Sequence, residues 1–256
     1  MTHDDPAPPT PPAIPAATLV VMRDRPGAPP ELLIVERSTN MAFAAGMIVF
    51  PGGRVDPGDR ALAAALGRPD AGAMIAAIRE TVEETGIAVG LSPHPDPDQA
   101  LALQAGLHAG DDFAALLAEA GLALDLAALT PFARWRPDHA PARRFDTWFF
   151  LAAAPPGGVA PHPQPGEIAA AFWAGAADLL ARIDAGELTA MFPTRRNLER
   201  IAQCASFDAA RADAHAHPVK VIAPTIELRG GERHLCIPDD AGYPITSEPL
   251  AGAMRS

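Results

Sequence analysis

The chain has 256 residues, enough for one sizeable core, and 48% of them are hydrophobic, an ordinary globular fraction. Its formal net charge of −11 argues against a nucleic-acid duplex or an anionic membrane as the main partner, because both reward basic patches. Two cysteines, Cys204 and Cys236, exclude a disulfide framework and a cysteine-rich zinc site and suit a cytoplasmic protein, and no apolar run reaches the length of a membrane span.

Residues 1–15, MTHDDPAPPTPPAIP, lack the basic start and apolar stretch of a secretory signal and read as a disordered proline-rich tail. The remainder, 16–256, reads as a single domain, with no linker long enough to divide it. ATLVVMRD and ELLIVERS, separated by the turn-rich RPGAPP, predict two strands. FAAGMIVFPGG ends a third apolar run on Pro51, Gly52 and Gly53, a strong turn signal. RVDPGD then reads as a tight loop before a short Ala/Leu-rich stretch from Arg60 to Leu66.

From Ala71 to Gly86 the period becomes helical. Met74, Ile78 and Val82 recur every four residues beside Ile75, so one stripe faces a core, with Asp70 as N-cap and Gly86 just past the end. Residues 96–129 predict one or two further helices, broken near Gly110 and Gly121. RFDTWFFLAA (144–153) is the clearest central strand, and AAAFWA (169–174) a shorter one. ADLLARIDAGELT and PTRRNLERIAQCASF predict two helices, with Pro193 just ahead of the second, and IELRGGERHLCIP a hairpin around Gly230 and Gly231. Strands and helices mixed without regular alternation predict an α/β sandwich with a mixed sheet.

The helix over 71–86 carries RETVEETG, which gathers Arg79, Glu80, Glu83 and Glu84. At about 100° per residue the three glutamates fall opposite Ile78, and the pairs 80/84 and 80/83 are helical neighbours. Like charges so spaced cost roughly 0.2–0.5 kcal/mol per pair, and a helix C-terminus disfavours anions. Two readings stand on these residues alone. One is a solvated acidic face; the other is a set of hard oxygen donors for a divalent cation such as Mg²⁺.

FPGGRVDPGD, with RETVEETGI after it, resembles the signature of the Nudix hydrolases. Gly53, Asp59, Arg79-Glu80, Glu83-Glu84, Gly86 and Ile87 stand in its order. The family usually has glutamate at the position of Asp59 and seven residues between that acid and the arginine. Here residues 60–78 make nineteen, an insertion of about a dozen that precedes the helix.

The resemblance implies a Nudix-type α/β/α sandwich with a mixed sheet and helical insertions. It also implies an enzyme that cleaves the diphosphate joining a nucleoside to another moiety, with Mg²⁺ or Mn²⁺. Carried over, Glu80, Glu83 and Glu84 are metal ligands, Arg79 orients these acids, Gly52 and Gly53 let the backbone turn closely around the site, and Asp59 fixes a loop. The catalytic set is then Glu83, Glu84 and Arg79 with a proton acceptor, either a glutamate of the helix or Glu167 in PHPQPGEIAAAFW. Glu167 matches an extra loop glutamate that family members often carry; His162 beside it reads as a loop histidine. A homodimer is an expectation of the same kind, since Nudix enzymes are often dimers.

RSTNMAFAAGMIVFPGG (37–53) is similar to the coenzyme A branch of the superfamily at Arg37, Ser38, Met41, Gly46 and Ile48, running into Phe50-Pro51-Gly52-Gly53. That branch has a basic residue and a histidine where this chain has Ala42 and Ala44. More broadly, the chain beyond the tail resembles larger Nudix proteins that include animal organellar coenzyme A diphosphatases, through RRFDTWFFLA, FPTRRNLERIA and IPDDAGYP. On these motifs Arg37, Gly52, Gly53, Arg144 (with Arg143) and Arg195 (with Arg196) are substrate-binding candidates, the arginines toward phosphate. Trp135, Trp148 and Trp173 read as core residues before base-stacking ones. The implied partner is a small nucleoside-diphosphate derivative, coenzyme A or acyl-coenzyme A first, with ADP-ribose, dinucleotides or nucleotide sugars as alternatives. The rival of another class is a non-catalytic Nudix-fold binding or regulatory module.

Overall fold

The computed structural model describes residues 12–41, 44–137 and 144–253; the expected tail up to residue 11, Ala42 and Arg143 lie outside the described residues. Strand β1 (Ile14–Arg25) takes up the last residues assigned to the tail, because Ile14 and Pro15 already pair with Phe145 and Asp146. Only Pro26 and Gly27 separate it from β2 (Ala28–Arg37), a tighter turn than RPGAPP predicted. The next apolar run forms two short strands, β3 (Ile48–Val49) against β2 and β4 (Gly52–Arg54) against β1.

RVDPGD is not a loop throughout. It opens α1 (Pro57–Ala65), with Pro57 in the first turn, where a missing N–H costs nothing. A 3₁₀ turn, Pro69–Ala71, then leads into α2 (Gly72–Thr85), whose N-cap is Ala71. Asp70 does not cap this helix; it lies in the 3₁₀ turn, paired with Arg68. Gly86 closes α2 as expected, in the left-handed region at φ 66°, and its N–H donates to the Val82 carbonyl at 2.8 Å. Strand β5 (Leu91–Ser92) follows. The expected helical insertion is two helices, α3 (Pro97–Ala109) and α4 (Phe113–Ala120), ended by Gly110 and Gly121, and β6 (Ala123–Leu124) returns to pair with β5.

Strand β7 (Thr130–Trp135) has no counterpart in the sequence reading. Strands β8 (Phe145–Ala153) and β9 (Ile168–Gly175), and helices α5 (Ala176–Asp184) and α6 (Phe192–Ile201), do, with Pro193 inside the first turn of α6. Helix α7 (Phe207–Ala216) was not anticipated either. After β10 (Val221–Ile222), the hairpin of β11 (Thr225–Arg229) and β12 (Glu232–Cys236) turns at Gly230 and Gly231 as expected, and β13 (Ser247–Pro249) completes a small second sheet.

The main sheet runs β10-β7-β8-β1-β2-β3, with β4 also on β1 and β9 also on β2. Strand β1 is parallel to β8 and β10 to β7, while the other pairs are antiparallel, so the sheet is mixed. Both faces of β1 are buried, which explains its unbroken apolar run. Ala17, Leu19 and Val21 join Leu33 and Phe150 against Ile75, Ile78 and Val82 of α2 and Leu103 and Leu107 of α3. Val20 and Met22 join Leu32, Ile34, Trp135 and Leu151 against Leu179 of α5 and Leu198 and Ile201 of α6. The result is the α/β/α sandwich expected from sequence. Among the described residues no helix is long and apolar enough to cross a membrane.

Candidate functional site

The site lies where α2 passes β4, the end of β2 and the loop before β9. Helix α2 packs on β1, β4, α1 and α3, so the carboxylate side of the helix is enclosed. The solvated acidic face considered from sequence is therefore not what forms: Glu84 is 3% exposed, and Glu80 and Glu83 are only partly so.

Arg79 is the hub. Its Nε and Nη2 donate to the two oxygens of buried Asp59, each at 3.0 Å, a fork-to-fork pair that fixes the plane of the guanidinium. Its Nη1 donates to Glu83 Oε2 at 3.2 Å, Nη2 lies 3.1 Å from Glu80 Oε1, and the Arg54 carbonyl accepts from Nη2 at 3.2 Å. Asp59 in turn accepts from the Asp56 N–H at 2.8 Å, which starts α1. The long insertion between Asp59 and Arg79 therefore leaves their contact intact, closing 20 residues of sequence with one bidentate bond.

Glycines make the approach of β4 to α2 possible. A Cβ on Gly53 would overlap the Glu80 carboxylate, and one on Gly52 would overlap the backbone of Ala17 and Thr18 in β1. With no side chain between them, the Gly52 N–H donates to Glu84 Oε2 at 3.0 Å. Arg37, at the end of β2, brings Nη1 to 3.9 Å from Glu84 Oε1.

The C-terminal end of α2 is capped from outside. Gln104 and His108 of α3 donate through Nε2 to the Glu83 carbonyl, at 3.1 and 2.8 Å. The N–H of Gln164 donates to the Glu84 carbonyl at 3.0 Å, and that of His162 to the Thr85 carbonyl at 2.7 Å. This docks the segment that carries Glu167, whose own carbonyl accepts from the Ser38 N–H at 2.8 Å. The Glu167 side chain is exposed, and its charge helps to raise the pKa of both Glu83 and Glu84.

Burial sets the electrostatics. It pushes Glu80 up to about 7 against the pull of Arg79, and Glu84 up to about 8 with help from the charge of Glu80, opposed by the Gly52 N–H and Arg37. Burial also raises Glu83, with Arg79 and His108 opposing. Among the described residues no three His, Cys, Asp or Glu side chains converge in metal-holding geometry. The expected convergence of Glu80, Glu83 and Glu84 is not formed as they stand, because each takes the nearest donor: Arg79 for the first two, the Gly52 N–H for the third. The donor set nonetheless fits a hard divalent cation in kind and in charge. It offers carboxylate oxygens alone, two of its members are desolvated, and the local acids exceed the local bases.

Arg144 precedes β8, where its carbonyl accepts from the Ile14 N–H at 2.7 Å, two residues before the Ala16–Arg54 pairing of β1 and β4. Arg195 is not brought to the carboxylates. It sits on α6, across the sheet from α2, paired with Asp184 at 2.7 Å and Glu199 at 3.1 Å. Trp135 is a core residue, edge-on to Phe192 and Tyr243. Trp148 stacks on Phe150 beneath Arg134, and Trp173 lies beneath Arg23. Sequence reasoning missed Gln104 and His108. A signal for Gln104 existed: it is the one polar member of the buried stripe Ala100, Leu103, Gln104 and Leu107 on α3.

No family model matches the chain, and no curated protein does. Among solved structures, a NUDIX hydrolase from Alicyclobacillus acidocaldarius is 33% identical, with 78% of this chain and 96% of that chain covered and a TM-score of 0.68. The NUDIX domain of Shewanella oneidensis NrtR, complexed with ADP ribose, is 15% identical over 78% of this chain and 92% of that one, with a TM-score of 0.45, too remote to bear on substrate. With the Alicyclobacillus enzyme matched over nearly its whole length at that identity, the chain belongs to the Nudix hydrolase family and is an enzyme of that class.

Proposed function

We propose that this enzyme hydrolyses the diphosphate linkage between a nucleoside and another moiety, with Mg²⁺ or Mn²⁺ held by Glu80, Glu83 and Glu84. The observation that carries the reading is the surplus of enclosed carboxylates on α2, where Arg79 alone serves Glu80 and Glu83 and a backbone N–H serves buried Glu84. A divalent cation, when bound, supplies neutralisation of phosphate oxygens and acidifies a water at the site. The chain's own groups do the rest. Arg79, held by both oxygens of Asp59, orients Glu80 and Glu83. Glu167, on the segment docked to the end of α2, accepts the proton of the attacking water. Arg37 beside Glu84 faces a substrate phosphate, with Arg144 a second cation toward it.

Within this class coenzyme A or acyl-coenzyme A is the first substrate, on the spacing from Arg37 through Ser38, Met41, Gly46 and Ile48 to the FPGG stretch. Ala42 and Ala44, in place of basic residues, favour a second reading, in which the substrate is a diphosphate with fewer phosphate groups, such as ADP-ribose or a nucleotide sugar. A cytoplasmic setting, on the sparse cysteines, and a homodimer belong to the same proposal.

The test is a panel of coenzyme A, ADP-ribose, NADH and nucleotide sugars with Mg²⁺ or Mn²⁺. Metal-dependent turnover of at least one is expected. No turnover of any, together with no metal binding by calorimetry, would contradict the reading.

A further inference from the structure

We infer that Gln104 of α3 is a positioning residue for the reaction, setting the segment that bears Glu167 against the end of the carboxylate helix. The inference rests on the reading of Glu167 as proton acceptor. Gln104 is 5% exposed on a stripe otherwise made of Ala100, Leu103 and Leu107. An amide there is expensive to bury unless its N–H groups find acceptors. Both are used by one nitrogen: Nε2 donates to the Glu83 carbonyl at 3.1 Å and to the His162 carbonyl at 2.8 Å. One acceptor belongs to a carboxylate residue of α2, and the other lies five residues before Glu167.

The room for this bridge comes from the helix cap. A Cβ on Gly86 would stand 3.0 Å from Gln104 Oε1, so the glycine that ends α2 also lets the amide lie across its end. Residue 162 is then tied twice, since its N–H donates to the Thr85 carbonyl at 2.7 Å while its carbonyl accepts from Gln104. Beyond it, Gln164 holds the Glu84 carbonyl at 3.0 Å, and the Ser38 N–H holds the Glu167 carbonyl at 2.8 Å. Glu167 is exposed, and its placement near Glu83 and Glu84 comes from the backbone bonds on either side of it. Gln104 is the side chain that joins that backbone to the metal helix. Glu83 thus has its carboxylate set by Arg79 and its carbonyl set by Gln104.

The experiment pairs Gln104→Met, which keeps the volume and removes both donors, with Gln104→Lys, which restores a donor at a helix C-terminus, where a cation is welcome. Turnover is measured on coenzyme A and ADP-ribose with Mg²⁺, and amide hydrogen exchange is measured on the metal-free protein. Gln104→Met should lower kcat roughly 10- to 100-fold with KM unchanged, the effect of a displacement of about an ångström. Exchange at the His162 and Gln164 amides should quicken roughly tenfold, the equivalent of about one hydrogen bond. Gln104→Lys should restore most of both. In a Glu167→Gln background, Gln104→Met should cost nothing further, because the group it positions is gone. Should the Met variant fail to fold, Gln104→Glu, which replaces the donor by an acceptor at equal volume, is read in the same way. Full kcat, unchanged exchange, or losses that multiply with Glu167→Gln would overturn the positioning role while leaving Glu167 as acceptor. Full kcat in Glu167→Gln alone would overturn the acceptor reading itself, and this inference with it.

Discussion

Helices α2 and α6 both bury arginines among glutamates, and they dispose of the charge in opposite ways. On α6 each arginine has its own carboxylate: Arg195 meets Asp184 at 2.7 Å, Arg196 meets Glu248 at 2.6 Å and Arg200 meets Asp213 at 2.7 Å. Glu199 is shared between Arg195 and Arg196. On α2 a single arginine, Arg79, serves Asp59, Glu80 and Glu83, while Glu84 has a backbone N–H and Arg37 at 3.9 Å. RRNLER gives every arginine a carboxylate within the fold, three arginines to four acids, although Arg196 Nε, Arg200 Nη2, Glu199 Oε2 and Glu248 Oε1 are left without a hydrogen-bond partner; RETVEE sets three acids against one arginine. Buried charge that is matched holds elements together, whereas buried charge in excess calls for a cation from outside.

Removing a carboxylate from α2 should therefore strike activity. Glu83→Gln should lower kcat/KM by about 10³-fold, a loss of about 4 kcal/mol of transition-state stabilisation, with little change in thermal stability. Full activity in this variant would sink its role as a ligand. Removing an arginine from α6 should do the reverse. Arg196→Met strands Glu248 without its cation, leaves Glu199 to Arg195 alone, and should cost about 3–5 kcal/mol of stability, with kcat of the folded fraction unchanged. A selective loss of kcat there would mean that α6 takes part in the chemistry.

Stability against pH separates the two layers more gently. Burial raises Glu80 to about 7 and Glu84 to about 8 from an ordinary value of 4.5, so the unfolded chain ionises first as pH rises. Their contribution to the metal-free protein is full below about 4.5, declines as pH climbs through 7 to 8, and is gone above. Melting curves in chelator should show that decline, and Mn²⁺ should reverse it at pH 8; a flat profile in chelator would contradict the buried-acid account. The smallest effect belongs to Arg195→Ala. Its partner Asp184 is well exposed and its other partner, Glu199, keeps Arg196, so about 0–1 kcal/mol of stability should go, and KM should not move. A tenfold rise in KM would restore Arg195 as a substrate contact.

The sequence carried the α2 site because its spacing is local. Glu80, Glu83 and Glu84 lie within two turns, and Gly86 marks the end of their helix. The strands with continuous apolar runs, β1, β2 and β8, are readable for the same reason: burial on both faces makes consecutive positions apolar. What escaped depends on contacts far apart in sequence. Nothing near Asp59 announces that α1 starts there, since Pro57 and the Asp56–Asp59 bond read equally well as a turn. Strand β7 is short and interrupted by Pro131, and its pairing with β8 shifts register beside that proline. Arg195 reads from sequence as a ligand for phosphate because its partner Asp184 comes from the preceding helix, which spacing alone does not place. Gln104 reaches 21 residues back to Glu83 and 58 forward to His162.

The most direct test of the central claim is calorimetric titration of Mn²⁺ into the wild-type protein, Glu84→Gln and Arg195→Ala. Binding is expected in the wild type and in Arg195→Ala, and its loss in Glu84→Gln. Binding undiminished in Glu84→Gln would contradict the claim.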